Sequence, residues 1–71
     1  MDKMETTLKI LRERKIMYEV KSPHHIKIGV LNYYPGKESF NYDNEPKLGK
    51  GLQNFLDLVE LKHSVYIQRV R

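Results

Sequence analysis

Two adjacent histidines, His24 and His25, are the side chains of this sequence best suited to proton transfer near neutral pH. They follow a Ser22-Pro23 turn and open a run in which apolar and polar residues alternate. Because strand side chains alternate between two faces, Ile26 is expected to enter a core while His25 and Lys27 face solvent. The same alternation places His24 on the core side, at the edge of the sheet. The segment could therefore support acid–base chemistry or bind an anion.

Metal binding and covalent catalysis are poorly supported by the same residues. Adjacent strand residues point to opposite faces, so His24 and His25 cannot both bind one ion, and His63 is distant in the sequence. The chain has no cysteine, which excludes a disulfide framework and a thiolate zinc site. Ser22 precedes a proline and has no evident acid partner that would orient a base. We therefore expect neither a metal nor another cofactor.

A second basic segment surrounds Lys47 and Lys50, which flank the glycine-containing turn Leu48–Gly51. The pattern predicts that this turn opens a helix, and free N–H groups at a helix N-terminus favour a phosphate. The spacing differs from a Walker A loop because no hydroxyl residue follows the lysine. The segment indicates either contact with a nucleic-acid backbone or a flexible helix entry with exposed lysines.

The composition favours an anionic partner. The chain has 71 residues, and its 13 Lys and Arg against 9 Asp and Glu give a net charge of +4. Such a balance tilts mildly toward anionic partners such as nucleic acid, although many small basic proteins bind none. No apolar run approaches the ~18 residues that a membrane span needs, and no signal peptide opens the chain. We expect a single small domain over residues 1–71 that is cytoplasmic and makes no contact with a membrane.

The apolar periodicity predicts two helices that flank several short strands. Asp2 is expected to cap the first helix, from Met4 to Lys15, with Glu5 completing a capping box. The second helix is expected from Leu48 to Lys62. Strands are predicted over 16–21, with Ile16, Tyr18 and Val20 directed inward, and over 26–28, 31–34 and 38–42. Residues 63–71 are predicted as either a final strand or an extended tail.

These elements predict an α+β fold of the order α-β-β-β-α, with an extra C-terminal strand as an option. Two amphipathic helices cannot bury their apolar faces against each other alone, so both are expected on one face of a small antiparallel sheet of three or four strands. The opposite face would remain open. Basic, aromatic and amide side chains there suit phosphate contacts and base stacking, or they serve only solubility. By alternation that face carries Glu19, Lys21, His25, Lys27, Tyr34 and Asn41.

The run from Lys21 to Ile26 and the segment Lys47–Leu52 resemble HicA-type mRNA interferase toxins. In that family a lysine, a glycine, a serine and a histidine precede the second strand. Lys21 and His24 match this pattern, while Ser22 and Pro23 replace the glycine and the serine. The resemblance covers about residues 8–61. It implies a fold similar to double-stranded-RNA-binding domains and RNA cleavage with His24 as the catalytic residue.

Residues 26–41 also resemble small uncharacterised bacteriophage proteins. Together these features favour a non-catalytic RNA-binding module that is encoded by a phage or mobile element, rather than an enzyme. Lys21, His25, Lys27, Lys47 and Lys50 would contact phosphates, and Tyr34 would stack on a base.

Two alternatives remain open at this point. The chain could be a phage anti-defence protein, such as an anti-CRISPR protein, that binds a host protein or nucleoprotein complex. Leu58 and Leu61 lie off the main apolar stripe of the second helix and could form its binding surface, or the C-terminal segment could cover them. The chain could also be an active ribonuclease that uses His24 as general acid or base. An exposed edge strand would additionally allow a homodimer.

Overall fold

The chain folds in the order helix, five strands, helix, which confirms the predicted α+β class but adds strands to the sheet. The computed structural model describes residues 2–68, without the side chains of Pro46 and Lys47. Within this range, no helix is long and apolar enough to cross a membrane. The elements are α1 (Lys3–Glu13), β1 (Glu19–Ser22), β2 (His25–Ile28), β3 (Leu31–Tyr34), β4 (Ser39–Tyr42), β5 (Glu45–Lys50), α2 (Leu52–Lys62) and a short 3-10 helix (Ser64–Tyr66).

Helix α1 begins as its sequence predicts. The Asp2 side chain accepts a hydrogen bond from the Met4 N–H at 3.0 Å, which satisfies one of the free donors of the first turn. Met4, Leu8 and Leu11 form the expected buried stripe. The helix ends two residues earlier than predicted because Lys15 adopts a left-handed conformation with φ of 60° and reverses the chain.

The five strands form an antiparallel sheet in sequence order, β1-β2-β3-β4-β5. One face of this sheet packs against both helices in a single core, and the Tyr33 ring stacks on Phe55 of α2 with centroids 4.2 Å apart. We call the two faces the core face and the open face. The core face carries Ile26, Ile28, Leu31, Tyr33 and Phe40, whereas the open face carries His25, Lys27, Asn32, Tyr34, Ser39 and Asn41.

The segment before α2 differs from the prediction. Residues 45–50 form strand β5, so Lys50 ends a strand and does not lie in the first turn of a helix. Gly49 pairs with Phe40, and a Cβ on Gly49 would lie only 2.6 Å from the Phe40 ring. Gly51, with φ of 100°, then reverses the chain and precedes the helix at Leu52. The prediction that Lys47 and Lys50 lie at the start of a helix is therefore wrong.

The segments before β1 and after α2 also differ from the prediction. Strand β1 starts at Glu19, and Ile16 instead forms an isolated bridge with Ile67 near the C-terminus. In the described residues, the predicted final strand is therefore represented only by this bridge at Ile67. Residues 69–71 lie outside the described range. Val20 was expected to be buried, but it is 49% exposed because β1 is an edge strand of the sheet that residues 2–68 form.

Candidate nucleic-acid interface

The strand register brings the polar side chains of the open face into two rows. The first row runs across four strands, from Glu19 through Lys27 and Asn32 to Asn41. The second row contains His25 and Tyr34, continues to Ser39, and reaches Lys50 at the end of β5. Sequence alternation therefore placed His25, Lys27, Tyr34 and Asn41 on the correct face.

Asn32 lies at the centre of the open face and is only 5% exposed. Its Oδ1 accepts hydrogen bonds from His25 Nε2 at 2.8 Å and from Lys27 Nζ at 3.0 Å. Its Nδ2 donates to Asn41 Oδ1 at 3.2 Å and to Asp43 Oδ1 at 2.9 Å. Because Asn32 Oδ1 can only accept, His25 must carry its proton on Nε2. The network thus fixes both the orientation and the tautomer of the His25 ring.

Lys27 and Asp43 form an ion pair beside Asn32. Hydrogen bonds from Lys27 and Asn32 hold the pKa of the exposed Asp43 carboxylate below its ordinary value. Lys21 lies near the edge of the sheet, where its Nζ is 3.5 Å from Glu19 Oε2. Both lysines are therefore already paired with carboxylates, which reduces the positive charge on this half of the open face.

A cleft of about 570 Å³ lies beside Tyr34 on the other half of the open face. Its walls come from strands β3 and β4 and from the turns at residues 23–24 and 35–38. Lys37 is exposed in the second of these turns, and within residues 2–68 neither Lys37 nor Lys50 forms an ion pair. The cleft is lined by His24, Tyr34, Gly36, Lys37, Ser39 and Asn41.

Of the two adjacent histidines, His25 lies on the open face as alternation predicts, whereas His24 does not lie on the core side. His24 lies in the turn, where its N–H donates to Ser22 Oγ at 3.1 Å, and its side chain is exposed at the cleft. Alternation does not extend through a turn, so the prediction that His24 sits at the core edge is wrong. His25 begins β2 and is half-buried, since its ring stacks on Tyr34 with centroids 4.8 Å apart.

Tyr34 joins the hydrogen-bond network to the cleft. Its ring lies nearly parallel to the His25 imidazole, with an interplanar angle of 20°, and it also lines the cleft. Since Asn32 holds His25 in place, Tyr34 packs against a fixed neighbour and not against a mobile side chain. Tyr34 thereby provides a preorganised aromatic surface next to the uncompensated charge of Lys37.

Sequence reasoning missed three residues that shape this surface: Asn32, Lys37 and Asp43. Asn32 shares its face with Tyr34 by simple alternation, so its position on the open face was predictable. Its burial was not, because it depends on the side chains of both neighbouring strands. The side chain of Lys47 lies outside the part of the chain that the structure describes.

His63, the third histidine, lies away from the cleft. Its Nε2 is 2.7 Å from the Tyr42 hydroxyl, and burial, followed by the charge of Lys62, lowers its pKa. Among residues 2–68, no three His, Cys, Asp or Glu side chains lie together in a way that could hold a metal ion.

No family model, curated protein sequence or solved structure matches this chain. The resemblance to HicA-type toxins therefore rests on the residues quoted in the sequence analysis.

Proposed function

We propose that this chain is a small RNA-binding module that holds RNA on the open face of its sheet. The observation that carries the proposal is the position of Tyr34, stacked on a fixed His25 and lining a cleft beside Lys37. Sheet faces that present an aromatic ring next to basic groups bind nucleic acid by stacking on bases and pairing with phosphates.

Different residues of the open face supply the two kinds of contact. Tyr34 offers its ring to a base, while Lys37 and Lys50 offer ammonium groups that form no ion pair with any carboxylate of residues 2–68. His24 adds a further hydrogen-bonding group at the cleft. Lys21 and Lys27 contribute less, because each would have to leave its carboxylate partner to bind a phosphate.

The lining of the cleft favours binding over cleavage. General acid–base cleavage of RNA needs one group that removes the 2′-hydroxyl proton and another that protonates the leaving oxygen. His24 is the one imidazole of the lining, and no carboxylate accompanies it among the described residues. A ribonuclease would require His24, so His24→Ala should abolish cleavage if the chain degrades RNA. We propose the non-catalytic role, in the cytoplasm of a host cell if a phage encodes the chain.

Salt dependence tests the proposal. If Lys37 and Lys50 pair with phosphates, the logarithm of the RNA affinity should fall linearly with the logarithm of the salt concentration. In a plot of log affinity against log salt concentration, the double variant Lys37→Ala, Lys50→Ala should have a slope that is less steep by about 2. The reason is that about one counterion is released per phosphate contact. Lys9→Ala, on the exposed face of α1, is the matched control and should leave the slope almost unchanged. Absence of RNA binding, or binding that ignores salt, would contradict the proposal.

A protein target is the second candidate, because two apolar side chains remain exposed near the end of α2. Leu61 and Val65 are each 79% exposed, whereas Leu58 packs against the core. An anti-defence protein could present these residues to a host protein. A nuclease-treated host lysate should then yield a stoichiometric partner for the wild-type chain that Leu61→Lys fails to retain. Loss of every partner after nuclease treatment would remove this candidate.

A further inference from the structure

The sheet has two edges, and they differ in how well they could pair with another strand. Strand β5 contains Pro46, which has no amide hydrogen to donate to a neighbour. Strand β1, at the other edge, contains neither proline nor glycine, and all four of its residues are exposed. Alternate residues of an edge strand direct their N–H and C=O groups outward. The β1 edge is therefore the better template for strand addition.

The exposure of Val20 reflects the position of β1 at the edge of the described sheet. Val20 pairs with Ile26, which is completely buried on the core face, so both side chains project toward the helices. Val20 nevertheless remains 49% exposed, because no further strand of the described residues lies beside it. A strand added at this edge would cover an apolar, β-branched side chain that the isolated fold leaves half in water.

The charges that flank Val20 are self-complementary. Glu19 and Lys21 lie on either side of Val20 and are exposed. In an antiparallel pair of two β1 strands centred on Val20, the valines lie opposite each other and Glu19 of each copy faces Lys21 of the other. Opposite charges in such cross-strand pairs stabilise a sheet, whereas like charges destabilise it. Centring the pair between Val20 and Lys21 instead would place a valine opposite a lysine.

We propose that two copies of this chain pair along their β1 edges, antiparallel and centred on Val20. The result is a continuous sheet of ten strands, five from each copy. Directly opposed residues of antiparallel strands share a face, so both open faces lie on one side of the dimer. The register shift between Val20 and Ser22 confines regular pairing to a few residues. The dimer is therefore weak and dissociates on dilution.

Sedimentation equilibrium of the nucleic-acid-free protein, from about 1 µM to about 1 mM, tests the proposal. The wild-type mass should rise from the 8.5 kDa of one chain toward twice that value. Glu19→Lys and Lys21→Glu should each remain monomeric, because each places like charges opposite one another. The double variant Glu19→Lys, Lys21→Glu should restore the dimer, since it exchanges the two charges.

Glu45→Lys is the matched control, because it makes the same charge change as Glu19→Lys on the opposite edge strand and should dimerise like the wild type. Circular dichroism of each variant shows whether the single variants fold, so that a loss of dimer can be separated from a loss of structure. A wild-type chain that stays monomeric throughout the range overturns the proposal. Single variants that dimerise normally overturn it as well, as does a double variant that folds but stays monomeric.

Discussion

At the centre of the open face, Asn32 uses both ends of its side-chain amide. The oxygen accepts from His25 and Lys27, and the nitrogen donates to Asn41 and Asp43. A buried amide group stabilises the fold when all of its hydrogen bonds are formed. Loss of some of these bonds would leave neighbouring polar side chains without partners. We infer that Asn32 holds the open face in the arrangement that RNA would bind.

Replacing Asn32 by alanine should therefore destabilise the fold and weaken RNA binding together. Removal of one partner from a buried hydrogen-bond network costs about 1–3 kcal/mol of unfolding free energy. The affinity should fall as well, because His25 would no longer hold Tyr34 in position. Urea unfolding and RNA titration of the same variant measure the two effects.

Asn44→Ala is the control for this change, since Asn44 is exposed in the turn between β4 and β5. Exposed substitutions of this kind usually change the unfolding free energy by no more than about 0.5 kcal/mol. Equal losses for Asn32→Ala and Asn44→Ala would show that the network has no special role in stability.

Among the elements, α2 is attached to the sheet at its C-terminal end through His63 and Tyr42. Burial lowers the pKa of His63 below its ordinary value of 6.5, so the folded state favours the neutral imidazole. The unfolded state then binds more protons than the folded state when the pH falls below 6.5. The stability that the neutral His63 contributes is therefore fully present above pH 6.5, and it is lost as the pH falls through the folded-state pKa of His63.

His63→Gln should reduce the difference in unfolding free energy between pH 7.5 and pH 5.5. Glutamine retains polar atoms that can bond to the Tyr42 hydroxyl, but it does not titrate. Urea unfolding of both chains at the two pH values measures this difference, and His24→Gln, in the exposed turn, serves as the control. If His63→Gln leaves the pH dependence of the unfolding free energy unchanged, that dependence arises from other groups.

The elements also show what the sequence could predict and what it could not. Helix α1 was predicted because its signals are local: the Asp2 cap and the spacing of Met4, Leu8 and Leu11. Strand β5 was missed because Leu48 lies four residues before Leu52, which fits a helical stripe equally well. The contact that decides between the two is the packing of Gly49 against Phe40, two residues from different strands.

The candidate site, like the fold, could be predicted from the sequence only in part. Alternation along regular strands placed His25, Lys27 and Tyr34 on the open face. It misplaced His24, because the turn breaks the alternation, and it could not show which lysines have carboxylate partners. That information depends on the register between strands, which brings Asp43 to Lys27.

At the scale of the whole molecule, both helices pack against one side of the sheet, and in residues 2–68 the other side is not covered by a helix. Lys21 and Lys27 are each paired with a carboxylate, whereas Lys37 and Lys50 form no ion pair within residues 2–68. The cleft thus lies at the more positive end of the open face. Pairing of two copies along β1 would place two such clefts on one surface and would increase the avidity for a long RNA.

The most direct test of the RNA-binding proposal is the affinity of Tyr34→Ala for RNA. Loss of one base-stacking ring costs about 1–3 kcal/mol, so the dissociation constant should rise roughly 5- to 150-fold in fluorescence anisotropy at fixed low salt. Tyr18→Ala is the control, because Tyr18 is a half-buried tyrosine that does not line the cleft. A Tyr34→Ala chain that folds and binds RNA as tightly as the wild type would contradict the account.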